Sequence, residues 1–419
     1  MKCLRALCLR FSVPIASLTV VAGGNLCATT ETNLLAYHIY MGNTHAHTAL
    51  TWSHGDQFEK GKGAADGESK NMKLVIAPDG VQSAPKGKVV RTDWQKHQGP
   101  PAKHYALAKA NGYDFYVTSD HSQEVAFSPA SPTNAAWAAT KREAVEATDS
   151  NFVALAGYEH SENNGPGGTG HLNVINSSEY LNAMRKGVDL PTLYKWLKTV
   201  KPNGAGPVVA VFNHPGPRQY ADWGNCDPEI MDIITMFELI NSNTSLHAGA
   251  FVIALDKGWK VSPVCGNDNH GFWGISNHTS RTGVLATDRT KVAILEAMKN
   301  RRTYASLDRN LQCRYSVNGA IMGSTLDKTN AFQFEIMISD PDSNEPKDKI
   351  TRIEIVKDGG AVVETFKPSP AYNVTWKPLI LDATNRYFFV RVWNAGGADA
   401  AKAKPADPVA WLAPVWTGR

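Results

Sequence analysis

Between residues 37 and 270 the chain repeats one pattern: a short apolar run closed by a polar cluster. YHIYM precedes NTHAH, YDFYV precedes TSDH, FVALA precedes GYEH, VVAVF precedes NHPG, IITMF precedes ELIN, and VSPV precedes CGNDNH. The length of these runs and their β-branched and aromatic content predict buried strands. Segments between them, such as PAKHYALAKANG, carry alanine and leucine at helical spacing, with Gly112 as a stop, and predict helices. Strands alternating with helices imply a parallel α/β arrangement. In an α/β barrel the carboxyl ends of the strands converge on one face, so polar clusters remote in sequence would meet there.

From about residue 313 the texture changes. RYSVNGAIMGS, AFQFEIMISD, ITRIEIVKDGGAVVETF, AYNVTWKPLIL and NRYFFVRVWNAGG alternate apolar and polar positions between turn signals, and predict a small antiparallel β-sandwich over 313–419. It holds no cluster of ligand-type residues and reads as a stabilising or substrate-shaping accessory domain. Residues 29–312 then form the first domain. Within it, the Gly-, Lys- and Asp-rich stretch 55–101 is a polar insertion, either a lid or a surface loop. Its lysines, including Lys60, Lys62, Lys70 and Lys73, form a solvated face or meet an anionic substrate.

A length of 419 residues suits two domains. Residues 1–28 stand apart: Lys2, Arg5 and Arg10 precede the apolar run FSVPIASLTVVAGG, and small residues follow at NLCATT. This is the layout of a secretory signal peptide, with an apolar run too short for a membrane span, and it implies a periplasmic or secreted protein. Without the three leader cations the formal net charge drops from +4 to about +1. The basic footprint of a nucleic-acid binder is missing, and no nucleic-acid partner is expected. Outside the leader only Cys226, Cys265 and Cys313 remain, too few for a disulfide scaffold.

The polar clusters carry the candidate chemistry. On an extended segment residues i and i+2 point to the same side, so His45 and His47 can grip one ion, and Asp268 and His270 repeat that geometry. The other strand ends supply Asp120 and His121 (TSDH), Glu159 (GYEH), His171 (GHLNVI) and His214 (NHPG). Imidazoles and carboxylates together suit zinc, manganese or iron. Burying so many of them calls for compensating cations. Glu238 and Asn241 are candidates to orient ligand histidines, His160 should point away from its neighbour Glu159, and Cys265 reads as a small buried hydrophobe.

The ordered set HxH in NTHAHT, SDH after a strand, a downstream Glu, NHPG, and DxH in GNDNH resembles the polymerase and histidinol phosphatase (PHP) family over roughly residues 37 to 310. The resemblance implies a distorted (β/α)7 barrel holding two or three divalent ions. It implies that His45, His47, Glu159 and Asp268 hold one metal, that Glu159 bridges to a second, and that His121, His171, His214 and His270 complete the sites. A further ligand is expected just beyond the HxH pair, where TWSHGD offers both His54 and Asp56; His54 is favoured. The C-terminal segment is similar to the accessory sheet domain of exported PHP proteins, including a branch similar to carbaryl hydrolase.

The activity so implied is hydrolysis, with Glu159 and Asp268 in catalytic as well as ligand roles. Adjacent cations lower the pKa of a shared water and polarise the scissile bond. A small anionic phosphoester attacked by a metal-bridging hydroxide is the first expectation, with Arg218 in NHPGPR placed to meet the anion. A carbamate, amide or carboxylic ester is the alternative, for which Trp52, Trp223, Phe272 and Trp273 would suit an aryl group. A non-catalytic metal- or ligand-binding protein is the third.

Overall fold

The computed structural model describes residues 34–60, 73–77, 80–83, 87–161, 169–397 and 407–418. The leader and three of the insertion's lysines, Lys62, Lys70 and Lys86, lie outside them. Nine strands form the continuous run of one sheet through the first part: β1 (His38–Asn43), β2 (Phe115–His121), β3 (Val153–Ser161), β4 (His171–Ile175), β5 (Val209–Asn213), β6 (Ile234–Asn241), β7 (Ser262–Gly266), β8 (Arg281–Ala286) and β9 (Thr303–Ser306). Five of the six apolar runs form the strands expected of them over most of their length, and VSPV enters β7.

These strands lie in the order β7-β6-β5-β4-β3-β2-β1-β8-β9. The pairs β1–β2, β2–β3, β5–β6 and β6–β7 are parallel. The expected all-parallel arrangement is corrected at two places. Strand β4 runs antiparallel to both its neighbours, and β8 runs antiparallel to β1 and β9. Beyond β7 the chain returns to the segment after β1: Thr44 Oγ1 donates to Cys265 O at 3.0 Å, Asp268 N donates to His45 O at 3.0 Å, and Ala46 forms a parallel bridge with Asn269. The large mixed sheet thus resembles a distorted barrel.

Helices fill the connections. In α1 (Pro101–Ala110) proline occupies the first turn, where a missing N–H costs nothing, and the chain leaves through Asn111 and Gly112. The side chain of Asn134 caps α2 (Ala135–Ala147) at Trp137 N, and Asp189 caps α3 (Leu190–Leu197) at Thr192 N. Between β6 and β7 lies α4 (Ala248–Asp256), and Thr290 caps α5 (Lys291–Lys299). Ile294, Leu295 and Met298 of α5 pack with Val117, Val153, Leu155, Val209 and Val264 from the strand interiors. Much of the strand interior is therefore apolar, and the candidate ligand side chains gather at one end of the sheet.

The polar insertion is tied down at its base. Phe58 bridges to Val90, and Trp52, Phe58, Val90 and Trp94 share a small buried cluster that the polar composition of 55–101 had hidden. Backbone strands Lys73–Ala77 and Gly80–Ser83 pair antiparallel within it.

Two antiparallel layers follow residue 311, but only one is a separate sheet. Gln312–Val317, Ala320–Ile321, Ala331–Ser339, Asn373–Trp376 and Leu379–Leu381 form five strands of their own. The strands Ile350–Lys357, Ala361–Phe366, Tyr387–Asn394 and Ala410–Leu412 extend the large sheet instead, because Ala410–Leu412 pairs with β9. Phe332 and Phe334 of the small sheet pack against Phe388 of the large one, with ring centroids 4.9 and 5.5 Å apart.

Candidate metal centre

The HxH and DxH segments lie side by side. The Ala46–Asn269 bridge and the hydrogen bond from His47 N to Asn269 O at 2.9 Å hold the two segments together. His45 Nε2 and His47 Nε2 come within 3.0 Å, and His47 Nε2 lies 3.1 Å from Asp268 Oδ1. Asp268 and His214 have positive φ, 45° and 30°, a left-handed turn at the strand end that directs each side chain into the pit.

Glu159, only 1 % exposed at the end of β3, is the centre of the arrangement. Its carboxylate lies 2.8 Å from His121 Nε2, 3.0 Å from His171 Nδ1, 3.4 Å from His214 Nε2, 3.5 Å from His45 Nε2 and 3.6 Å from His47 Nε2. Asn213 Nδ2 also donates to it at 2.9 Å and Ser161 Oγ at 3.0 Å. His171 reaches this end of the sheet as the first residue of β4, which the reversed direction of that strand allows.

The outer partners of the histidines fix which nitrogen faces inward. His45 Nδ1 is 3.2 Å from both oxygens of Glu238, leaving Nε2 toward Glu159. His47 Nδ1 contacts Thr51 Oγ1 at 3.3 Å, and His270 Nδ1 donates to Asp268 O at 3.0 Å. His270 Nε2 is buried without a hydrogen-bond partner. Such outer partners hold ligand imidazoles in one tautomer with the other nitrogen's lone pair available. The orientation role expected of Glu238 and Asn241 fits: Glu238 also accepts from His214 N at 2.7 Å, and Asn241 Nδ2 donates to Glu238 and Asp268, each at 3.1 Å.

Several sets of three such atoms lie within 4.8 Å of one another: His47, His121 and His270; His45, His214 and Asp268; His45, His47 and Glu159; Glu159, His171 and His214; and His54, His121 and Glu124. Eight of the sequence-derived ligands therefore meet in one pit, and His54 joins them at its rim. The His54 ring lies 4.1 Å from that of His270, whereas the Asp56 carboxylate abuts Gly271. Arg218 is not brought in; it is exposed on the loop beyond His214.

Two acids follow other logic. Asp120 accepts from Thr48 N, Thr48 Oγ1, Thr51 N and Thr51 Oγ1 at 2.7 to 3.0 Å, shaping the loop after the HxH pair. Glu124, which the sequence reading missed, pairs with His121 and accepts from Ser53 Oγ. It follows the end of β2 by three residues, beyond the reach of a strand-end pattern. His160 points away, to Leu181 O at 3.1 Å. Cys265 is buried against Ser306 O, and Cys226, Cys265 and Cys313, the cysteines among the described residues, are free thiols.

Charge is unevenly shared in the pit. Burial alone would lower His45, but the carboxylates of Glu238, Asp268 and Glu159 outweigh it and hold its pKa well above the ordinary value. His121 is likewise raised, to about 10, by Glu124 and Glu159 against burial. Burial and the neighbouring imidazoles lower His47 well below the ordinary value and bring His270 to about 4. Glu159 and Asp268 are held well below the carboxylate range by the surrounding histidines, against burial. This donor set, soft enough for imidazole-preferring ions and rich in charge, fits several divalent cations.

No family model matches the chain, and no curated protein is similar enough to match. Among solved structures, a two-domain protein from Bacteroides vulgatus containing a predicted PHP-like metal-dependent phosphoesterase is similar over 90 % of this chain and 96 % of its own, at 14 % identity and a TM-score of 0.43. No helix of the described residues is long and apolar enough to cross a membrane.

Proposed function

We propose that the chain is an exported multinuclear-metal hydrolase of the PHP type, with a closed, distorted (β/α)7 barrel, acting on a small anionic phosphoester. The observation that carries this reading is the set of five histidines within 3.6 Å of the buried Glu159 carboxylate. His45, His47, Glu159 and Asp268 would hold one ion, and His121, His171, His214, His270 and His54 the others. Two or three bound zinc, manganese or iron ions would supply Lewis acidity and lower the pKa of a bound water.

The chain's own contribution is to hold this constellation. Glu238 keeps His45 in the tautomer that leaves Nε2 free, Asp120 fixes the loop carrying His47, and Asn213 and Asn241 orient Glu159 and Asp268. Arg218, on the exposed loop after His214, would meet an incoming anion only on closure of that loop over the pit. The leader over 1–28 supports a periplasmic or secreted location.

A second reading, cleavage of an aryl carbamate or ester, is favoured by Trp273, which stands 64 % exposed three residues beyond His270. Side-by-side assays of a nitrophenyl phosphate, a bis-nitrophenyl phosphate and an aryl carbamate separate the two. Turnover of a phosphate ester is expected, and turnover of the carbamate alone overturns the phosphoester assignment.

A further inference from the structure

A second cluster of charged oxygen lies apart from the histidine pit. A cavity of about 340 Å³ opens between the loop after β9 and two loops of the C-terminal layers. Asp308 enters it from the first loop, Asp342 and Asp348 from the second, and Asn394 from the end of the strand Tyr387–Asn394. Asn394 is only 8 % exposed, yet its Oδ1 has no hydrogen-bond partner.

The local charge balance favours a cation. Among the described residues three carboxylates, Asp308, Asp342 and Asp348, share the lining with two positive groups, Lys347 and Arg309. Among the described residues neither cation forms an ion pair with these acids, and Arg309 donates instead to Ser276 O. A bound divalent ion would neutralise that excess of carboxylate.

We propose that this cavity is a divalent-cation site that takes calcium, held by Asp308, Asp342, Asp348 and Asn394 Oδ1. All the donors are oxygens, the set preferred by hard ions, and neither histidine nor cysteine lines the cavity, so zinc and iron have no advantage there. The ion would tie the loop after β9 to the C-terminal layers, a role separate from the chemistry of the histidine pit.

The test is isothermal titration of calcium chloride into the full chain, dialysed against chelating resin, with Asp308→Asn, Asp348→Asn and His45→Ala variants alongside. We expect one equivalent bound with a Kd on the order of 10⁻⁴ M, as in extracellular calcium modules. Each Asp→Asn change should weaken binding about tenfold or more, and His45→Ala should leave it unchanged. If Asp348→Asn, at a buried position, does not fold, Asp342→Asn at an exposed one is read in its place. No binding up to about 10 mM, well above the range of such modules, overturns the site. Affinity unchanged in the Asp→Asn variants, or lost with His45→Ala, overturns it as well.

Discussion

A single outer carboxylate shows how much one residue decides. Glu238 contacts no candidate inner oxygen site by itself, but its two oxygens hold the His45 ring and its Oε2 accepts the His214 amide. In Glu238→Gln the amide oxygen can still accept from His214, while the charge that orients His45 is gone. Metal affinity should fall about 10- to 100-fold with the fold retained, measured by competition with a chromophoric chelator. Affinity equal to the parent's would remove Glu238 from the account. The pair His45 and His47 was legible in the sequence because i, i+2 spacing alone puts two side chains on one face. Glu124 was not, because it follows a turn after His121 where no periodicity points inward.

The same residues set the acid–base behaviour of the metal-free protein. His270, at about 4, refuses a proton that the unfolded chain binds below about 6.5, so stability falls as pH drops through that window. His121, at about 10, keeps a proton that the unfolded chain releases above about 6.5; its stabilisation is complete below that value and is lost as pH rises toward 10. Urea midpoints of metal-free protein between about pH 4 and 10 should therefore peak near neutrality. A midpoint that climbs steadily to the alkaline end would contradict these assignments.

At the scale of elements, β4 is the informative case. HLNVI reads as a buried strand whichever way it runs, and hydropathy carries no direction, so the sequence revealed His171 as a strand-end residue without revealing that it is the first residue of an antiparallel strand. Local contacts supply what periodicity lacks. Tyr220 donates to both His171 O and Asn213 O, at 2.7 and 3.0 Å, pinning the ends of β4 and β5 together. Gly170 precedes His171 with φ +79°, and a Cβ there would stand 2.5 Å from the Tyr220 ring. Gly170→Ala should thus destabilise the protein by about 1–3 kcal/mol and loosen metal binding through His171. Unchanged stability by urea titration would show that the turn before β4 is not constrained.

At the scale of the whole molecule, change of texture near residue 313 was visible, and both antiparallel layers exist. Their attachment was not visible, since strand pairing between residues a hundred positions apart leaves no periodic trace. Ala410–Leu412 pairs with β9, and Arg314 donates to Leu34 O and Tyr37 O at 3.1 Å each. One buried cluster contains Leu285 and Tyr304 together with Tyr315, Phe388 and Trp411. A chain ended at residue 312 would expose that apolar surface and one edge of β9. It should be recovered aggregated or without a cooperative thermal transition; a soluble fragment melting like the full chain would show that the two parts are independent.

A pit that holds several ions at once is tested most directly by the zinc, manganese and iron content of the purified full chain by mass spectrometry, with calcium counted apart. The result expected is two to three of these ions per chain, since a folded site of this kind binds with apparent free energies of order 10 kcal/mol. Fewer than about one ion per chain after supply of all three metals would contradict it.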